Sequence, residues 1–176
     1  MKPLMVALIL TLFTTNFNFA QEHYIKESAS HEPRHRVAFI LGHSFISIDN
    51  HNTLSIPTFG LDYEYWLGDH WGIGIFSDVE LITKEVSLSL HDIDIERQYP
   101  LVVTLDALWS PIEHWELVFG PGIISEQGDI EPLVRIGVEH DLALHNHWDV
   151  PINLFYDKKF DGNYAISIGL GIAKRF

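Results

Sequence analysis

The sequence predicts an all-β fold, an eight-stranded antiparallel up-and-down transmembrane β-barrel. From Arg36 onward, period-two segments alternate with short turns, and helical spacing is sustained nowhere. After residue 20, no apolar stretch approaches the roughly 20 residues that a transmembrane helix needs, so any membrane span must use strands. Without cysteines, the fold must rely on strand pairing and burial. Eight strands joined in chain order can close into a barrel, which leaves no exposed sheet edge.

The boundaries of the eight strands follow from the alternation and from the turn residues between the segments. The predicted strands are residues 36–47, 54–66, 71–82, 98–109, 115–125, 131–144, 148–157 and 164–176. The first strand fits least well, because His43 falls among its apolar positions. This mismatch predicts a β-bulge at Gly42.

The two faces of each strand differ in side-chain size. In the last strand, Ile166 and Ile168 alternate with Ala165, Ser167 and Gly169. The interior of an eight-stranded barrel is only just wide enough for side chains to fill it. Several large apolar residues from every strand would overfill that space, so the bulky phase is predicted to face outward into lipid.

The small, inward phase also carries many charges. Buried carboxylates are tolerated when they are paired or hydrated, and two arginines in the same phase are candidate counter-charges. A carboxylate-rich interior tied by arginines is the favoured interpretation, and a proton or cation path is the alternative. The predicted lumen charges are Asp62, Glu64, Asp78, Glu80, Asp106, Glu116, Arg135, Glu139 and Arg175, with Asp141 and Asp149 in the same phase.

Three successive short turns end in a His-Trp pair immediately before a strand. An amphipathic indole prefers the headgroup layer of a bilayer, so these tryptophans are predicted to form an interfacial belt, with the histidines as polar turn residues. The predicted anchors are Trp71, Trp115 and Trp148, with Tyr65, Trp66, Trp109 and Phe176 near the same level.

Outside the barrel, residues 36–176, two further segments are predicted. Residues 1–20 contain an early Lys2, a short apolar core and Ala20, which is typical of a secretory signal peptide. Residues 21–35 are polar and predict a flexible periplasmic lead-in. The net charge of -13 disfavours nucleic acid and other polyanions as partners.

The connections at 67–70, 110–114 and 145–147 are tight, whereas those on the opposite side tend to be longer. Outer-membrane barrels have short periplasmic turns and longer external loops, so the termini are predicted on the periplasmic side. The longest connection, residues 83–97, still alternates and predicts a hairpin turning near His91 that projects from the barrel. Its edges could accept a strand from a surface partner.

The signal peptide, the eight alternating strands and the segment "ISIGLGIAKRF" ending in Phe176 resemble small bacterial outer-membrane β-barrels of the OmpA/OmpX type. The resemblance implies location in the bacterial outer membrane and contact with its lipid. It also implies recognition of the last strand by the outer-membrane assembly machinery. Phe176, Ile172, Leu170 and Ile168 match the pattern that this machinery reads, and Lys174 departs from it.

The favoured function is a structural, envelope-interaction or adhesion-like role without catalysis, cofactor or metal. The histidines of the short turns lie on separate hairpins, whereas a metal site needs three or four converging ligands. A lipid A-modifying enzyme is an alternative, but His43 and Ser44 are strand neighbours that point to opposite faces. A second alternative is a small-solute or ion pathway through the carboxylate-lined lumen.

Overall fold

The computed structural model describes most of the predicted barrel and the residues immediately before it. The described residues are 33–49, 52–89, 92–126, 128–160 and 162–176. The predicted signal peptide and most of the lead-in lie outside these ranges. Among the described residues, no helix is long and apolar enough to cross a bilayer.

The described residues form ten β-strands. Strand boundaries agree with those predicted from the alternation to within a few residues, because the period-two pattern and the turn residues are local signals. The strands are β1 His35–Asp49, β2 Asn52–Trp66, β3 Trp71–Glu80, β4 Ile82–Ser89, β5 Asp92–Gln98, β6 Leu101–Ile112, β7 Trp115–Glu126, β8 Asp129–Ala143, β9 Trp148–Lys159 and β10 Tyr164–Arg175.

Eight of these strands close into an antiparallel barrel in the order β1, β2, β3, β6, β7, β8, β9, β10. The closing pair is β1 with β10, whose register runs from Arg36 opposite Arg175 to Ile46 opposite Ala165. Closure gives the first and last strands of the barrel a partner on both sides. The predicted eight-stranded up-and-down barrel is confirmed.

Strands β4 and β5 form a separate two-stranded sheet between β3 and β6. Their register runs from Ile82 opposite Gln98 to Ser89 opposite Asp92, and the connection at residues 90–91 lies outside the described residues. The barrel ladder ends where the Glu80 amide donates to the Pro100 carbonyl at 2.9 Å. Proline has no amide hydrogen to continue the ladder, which separates the hairpin from the barrel.

The predicted bulge at Gly42 is wrong. Strand β1 keeps one continuous register through this position, with Gly42 opposite Gly169 on β10 and Thr58 on β2. His43 therefore points outward in phase with its apolar neighbours, and its ring donates or accepts a hydrogen bond at the Ser55 hydroxyl at 2.6 Å. The first irregularity in the β1–β2 register comes later, between Ser47 and Asp49.

The bulky phase faces outward, as predicted. Large apolar side chains on all eight barrel strands are more than a third exposed, for example Leu41, Leu105 and Leu170. Glycines make room inside: a Cβ on Gly137 would lie 2.2 Å from Cδ1 of Phe155, a buried ring. The narrow interior thus admits a few large rings only where a neighbouring strand contributes no side chain.

Candidate functional site

Arg36 on β1 organises the interior at the end of the barrel that carries the short turns. Its guanidinium group contacts the carboxylate of Glu64 on β2 and lies 2.7 Å from Glu139 and 2.6 Å from Asp141, both on β8. Arg36 is only 1% exposed, so these contacts replace the water that the charge has lost. One side chain thereby links β1 to its neighbour β2 and, across the interior, to β8.

Arg175 on β10 extends this group. Its Nε donates to Asp149 on β9 at 2.7 Å, and its Nη2 donates to Asp141 at 2.6 Å. Glu116 on β7 lies 3.7 Å from the same guanidinium group. Asp141 therefore accepts from both arginines. We call this group the Arg36 cluster: Arg36, Glu64, Glu116, Glu139, Asp141, Asp149 and Arg175.

Negative charge exceeds positive charge in the Arg36 cluster. Its five carboxylates face two guanidinium groups. Glu64, Glu116 and Glu139 each place one carboxylate oxygen within 4.8 Å of the others. Among the described residues, Glu116 Oε2 and Glu139 Oε2 have no hydrogen-bond partner. Uncompensated charge away from water is costly, so this arrangement can attract a proton or a cation.

A second charged group, the Arg135 cluster, lies further from the short turns. Arg135 on β8 donates from Nε and Nη2 to the two carboxylate oxygens of Asp157 on β9, each at 2.7 Å. Its Nη2 also donates to Asp78 on β3 at 2.8 Å, and its guanidinium carbon lies 4.6 Å from the centre of the Phe155 ring. The paired geometry with Asp157 matches the planar fork of arginine to a carboxylate.

Apolar side chains fill much of the remaining interior. The rings of Phe76 and Phe155 meet edge to face at 5.8 Å, an arrangement that the ring quadrupoles favour. These rings belong to a buried cluster with Trp66, Leu108 and Val118. The ion pairs and the packed apolar side chains together fill the described interior at the level of these clusters.

A cavity of about 220 Å³ lies at the end of the barrel opposite the short turns. Its wall includes the buried apolar cluster Val102, Ile124 and Leu133, and charged side chains such as Glu80 and Lys159 stand beside it. This volume is below the range of about 300–1,000 Å³ that is typical of small-molecule sites.

The predicted lumen charges lie on the inward face of the barrel. Seven are buried, and Asp78 and Arg175 are half-buried and paired with Arg135 and Asp141. The buried members are Asp62, Glu64, Glu80, Asp106, Glu116, Arg135 and Glu139. Asp106 accepts a hydrogen bond from the hydroxyl of Thr104.

Two central residues were missed by the sequence analysis. Arg36, which contacts three carboxylates, and Asp157, which pairs with Arg135, were not among the predicted lumen charges. The alternation did indicate an inward position for both residues. Arg36 is an even number of residues from the inward-facing Ala38 and Ile40, and Asp157 is an even number of residues from the inward-facing Asp149 and Asn153. Each is a terminal residue of its predicted strand, where the alternation is supported by neighbours on one side only.

Six of the seven predicted anchors ring the short-turn end on the outer face or rim. Trp71 stacks on Trp109 at 5.9 Å across β3 and β6, and the Trp115 ring lies 4.4 Å from the ring of His140. Lys174, which departs from the apolar pattern of the last strand, places its ammonium group 5.1 Å from the Trp148 ring. The other two anchors, Tyr65 and Phe176, lie beside His35. The ring centroids of Tyr65 and His35 are 5.1 Å apart, and those of Phe176 and His35 are 5.7 Å apart.

The prediction that Trp66 is an interface anchor is wrong. Trp66 is 8% exposed, belongs to the buried apolar cluster and donates from its indole nitrogen to Glu64 at 3.0 Å. Its parity along β2 is that of Asp62 and Glu64, which face inward. The strand period therefore outweighs the general preference of tryptophan for the headgroup layer.

Comparisons with known proteins bear on the fold. No protein-family model matches the chain, and no curated protein matches it. Among solved structures, it is similar to Ail, the attachment invasion locus protein of Yersinia pestis, and to Neisserial surface protein A. Ail is 17% identical, with a TM-score of 0.60 over 83% of this chain and 100% of Ail. Neisserial surface protein A is 12% identical, with a TM-score of 0.56 over 84% of this chain and 100% of that one.

OprG, an outer membrane protein of Pseudomonas aeruginosa, is also similar, at 12% identity and a TM-score of 0.51 over 84% of this chain and 99% of that one. At such identities the likeness establishes the fold. The closed barrel has an apolar outer surface, which suits contact with lipid in the outer membrane. The chain has the fold of bacterial outer-membrane β-barrels.

Short turns of outer-membrane barrels face the periplasm and longer loops face outside. The Arg36 cluster of this outer-membrane barrel therefore lies near the periplasmic end, and the β4–β5 hairpin and the cavity lie near the external end. Apolar side chains between these ends contact membrane lipid.

Proposed function

We propose that this outer-membrane barrel is a non-catalytic protein with an adhesion-like role, in which the β4–β5 hairpin binds a partner at the cell surface. The observation that carries the proposal is the separate two-stranded sheet formed by Ile82–Ser89 and Asp92–Gln98. Within the described residues each strand pairs only with the other, so each keeps one free edge. A free edge can accept a partner strand through main-chain hydrogen bonds.

The filled interior supports a role that does not depend on passage through the lumen. The Arg36 and Arg135 clusters connect strands across the barrel, and the apolar cluster around Phe76 and Phe155 packs between strands. Such connections stabilise a scaffold from which a surface element can project. This favours the hairpin over a solute or ion pathway as the functional element.

The name of Ail describes an attachment protein, and its solved complex contains a heparin analogue. A similar fold is thus compatible with attachment. The net charge of -13 argues against a sulfated polyanion as the ligand here, because like charges repel. We therefore propose a protein strand as the partner of the hairpin.

The proposal can be tested by replacing residues 83–97 with a short Gly-Asn turn and measuring attachment of whole bacteria to wells coated with extracellular-matrix protein. A matched control replaces the external connection at 126–130 in the same way. The hairpin variant should lose attachment while its band still shifts on boiling in a gel, and the control should keep both. Equal attachment of both variants would contradict the proposal.

A lipid-ester hydrolase is the second candidate, because the His43 ring and the Ser55 hydroxyl meet at 2.6 Å on the outer face of the barrel. Such a pair could activate a serine toward an acyl ester. The other nearby serine, Ser44, faces inward and bonds Ser167 at 2.6 Å. Among the described side chains, no carboxylate bonds His43, so the orienting third group of a triad is missing.

Purified protein incubated with lipid A distinguishes the two candidates. The adhesion-like role predicts no release of fatty acid from the wild-type protein. Release that disappears in both His43→Ala and Ser55→Ala, and persists in Ser44→Ala, would establish the hydrolase instead.

We also propose that β10 carries the recognition pattern for the outer-membrane assembly machinery. Its outward apolar residues Ile168, Leu170 and Ile172, with Phe176 beyond the strand, are all exposed. Phe176→Ala should reduce the amount of barrel in the outer membrane of living cells but leave refolding of purified protein into detergent unchanged. A loss in both assays would indicate a role of Phe176 in stability alone.

A further inference from the structure

We propose that the barrel binds one calcium ion among the carboxylates of Glu64, Glu116 and Glu139. These residues converge from three strands, β2, β7 and β8, onto one buried point of the Arg36 cluster. Carboxylate oxygens are the ligands that hard divalent cations prefer. The inference does not depend on the role of the hairpin.

The burial of the three carboxylates favours calcium over magnesium. One oxygen from each residue lies within 4.8 Å of the others, so a single ion can contact all three at calcium–oxygen distances of about 2.3–2.6 Å. Magnesium usually keeps several of its waters and demands octahedral geometry, whereas calcium accepts a flexible set of carboxylate ligands. Because the three residues are at most 3% exposed, the site suits calcium better.

Unpartnered oxygen atoms give an independent indication of a ligand. Glu116 and Glu139 are 3% and 1% exposed, and within the described chain their Oε2 atoms have no hydrogen-bond partner. The two residues are also directly opposite each other in the β7–β8 ladder. Like charges at opposed positions destabilise a sheet, so a cation between them removes a repulsion as well as satisfying the oxygens.

The two nearby arginines carry too little positive charge to balance the cluster. Arg36 contacts Glu64, Glu139 and Asp141, and Arg175 contacts Asp141 and Asp149 and lies 3.7 Å from Glu116. These contacts share two positive charges among five carboxylates, so a further positive charge is needed to neutralise the cluster. The side chain of Arg175 is 28% exposed, which leaves this end of the cluster open to ions from the periplasm.

Terbium luminescence tests the site, because Tb³⁺ replaces calcium in oxygen sites and is sensitised by a nearby indole. The Trp66 nitrogen bonds Glu64 at 3.0 Å, which places a donor beside the proposed ion. Purified barrel refolded in detergent with Tb³⁺ should emit on tryptophan excitation, and added Ca²⁺ should suppress the emission. The proposal would be overturned if the wild-type protein gave no emission and its unfolding midpoint were the same with and without Ca²⁺.

Variants separate a specific site from general attraction to an acidic protein. Glu116→Gln should weaken Tb³⁺ and Ca²⁺ binding by roughly tenfold or more, because the ligand charge count sets the affinity. Glu131→Gln, which removes an exposed carboxylate paired with Lys159 at 2.9 Å, should bind as the wild type does. Trp66→Phe should lose most of the emission but keep the stabilisation by Ca²⁺. Equal affinity of Glu116→Gln and the wild type would also overturn the proposal.

Discussion

Arg135 shows how a single residue can hold distant strands together inside the barrel. It is 3% exposed and bonds Asp157 through two parallel hydrogen bonds and Asp78 through a third. Removal of the arginine would leave two carboxylates without their counter-charge in a low-dielectric interior. The cost of such a change comes mainly from the stranded charges rather than from the lost bonds.

Arg135→Met should therefore lower the free energy of unfolding by about 3–5 kcal/mol. Urea unfolding of the barrel in lipid vesicles measures this. Glu131→Gln is the control, since its exposed pair with Lys159 should be worth at most about 1 kcal/mol. Equal losses in the two variants would show that the Arg135 cluster is solvated.

Gly74 offers a second test at the scale of one residue. A Cβ at this position would lie 2.5 Å from Cε2 of Phe76, which is 1% exposed and packs against Phe155. Gly74→Ala should destabilise the barrel by about 1–3 kcal/mol through overpacking. The loss should be smaller in a Phe76→Leu background, because the shorter side chain leaves room for the methyl group.

Gly68→Ala is the matched control for Gly74→Ala. Gly68 lies in the turn after β2, and nothing would lie within 4 Å of its Cβ. This substitution should change the free energy of unfolding by less than about 0.5 kcal/mol. Equal effects at Gly68 and Gly74 would mean that Phe76 does not restrict the space at Gly74.

At the scale of whole elements, the ten strands divide into a closed set of eight and a separate pair. A period-two pattern continues on both sides of His91 within residues 83–97, so the alternation alone does not distinguish barrel strands from the hairpin. Hydrogen-bond pairing does: β3 pairs with β6 up to Val79 opposite Leu101, and β4 pairs only with β5 among the described strands. Barrel and hairpin are therefore expected to be independent in stability.

Replacement of residues 83–97 by a short Gly-Asn turn should change the free energy of unfolding by about 1 kcal/mol or less. A shorter connection lowers the entropic cost of loop closure slightly, and no barrel strand loses a ladder partner. Urea unfolding of the purified variant in detergent provides the measurement. A variant that fails to close, seen as the loss of its band shift on boiling, would assign a structural role to the hairpin.

At the scale of the whole molecule, the outward apolar surface determines where the barrel resides. Every barrel strand carries exposed leucine, isoleucine or aromatic side chains, and the paired rings of Trp71 and Trp109 lie near the periplasmic boundary. A water-soluble barrel would place this apolar phase inside, but the interior holds the Arg36 and Arg135 clusters instead. Lipid is the solvent that suits such a surface.

Two outward residues of β6 test this placement. Leu105, near the middle of the strand, and Ile112, at its periplasmic end, are 58% and 67% exposed. Leu105→Arg should cost about 2–4 kcal/mol in a bilayer, and Ile112→Arg only about 0–1 kcal/mol, because the cost of a charge rises toward the midplane. Unfolding in lipid vesicles measures both, and a larger cost at Ile112 would contradict the assigned membrane position.

The sequence by itself determined the strands, the faces and the membrane-facing surface, because a period of two and turn residues are local properties of the chain. Residues such as Glu64, Arg135 and Glu139 could be assigned to the interior from parity alone. Parity says which face a side chain takes but not which other side chains it meets. The inward position of Trp66 was also encoded in its parity, against its residue type.

Only the tertiary structure decided which interior charges are partners. Arg36 and Asp141 are 105 residues apart in the chain and meet because the closed barrel brings β1 and β8 to face one another across a narrow interior. The same closure brings Glu64 beside Glu116 and Glu139, which creates the proposed calcium site. Such contacts depend on strand order, register and barrel width together, and none of these is a local property of the sequence.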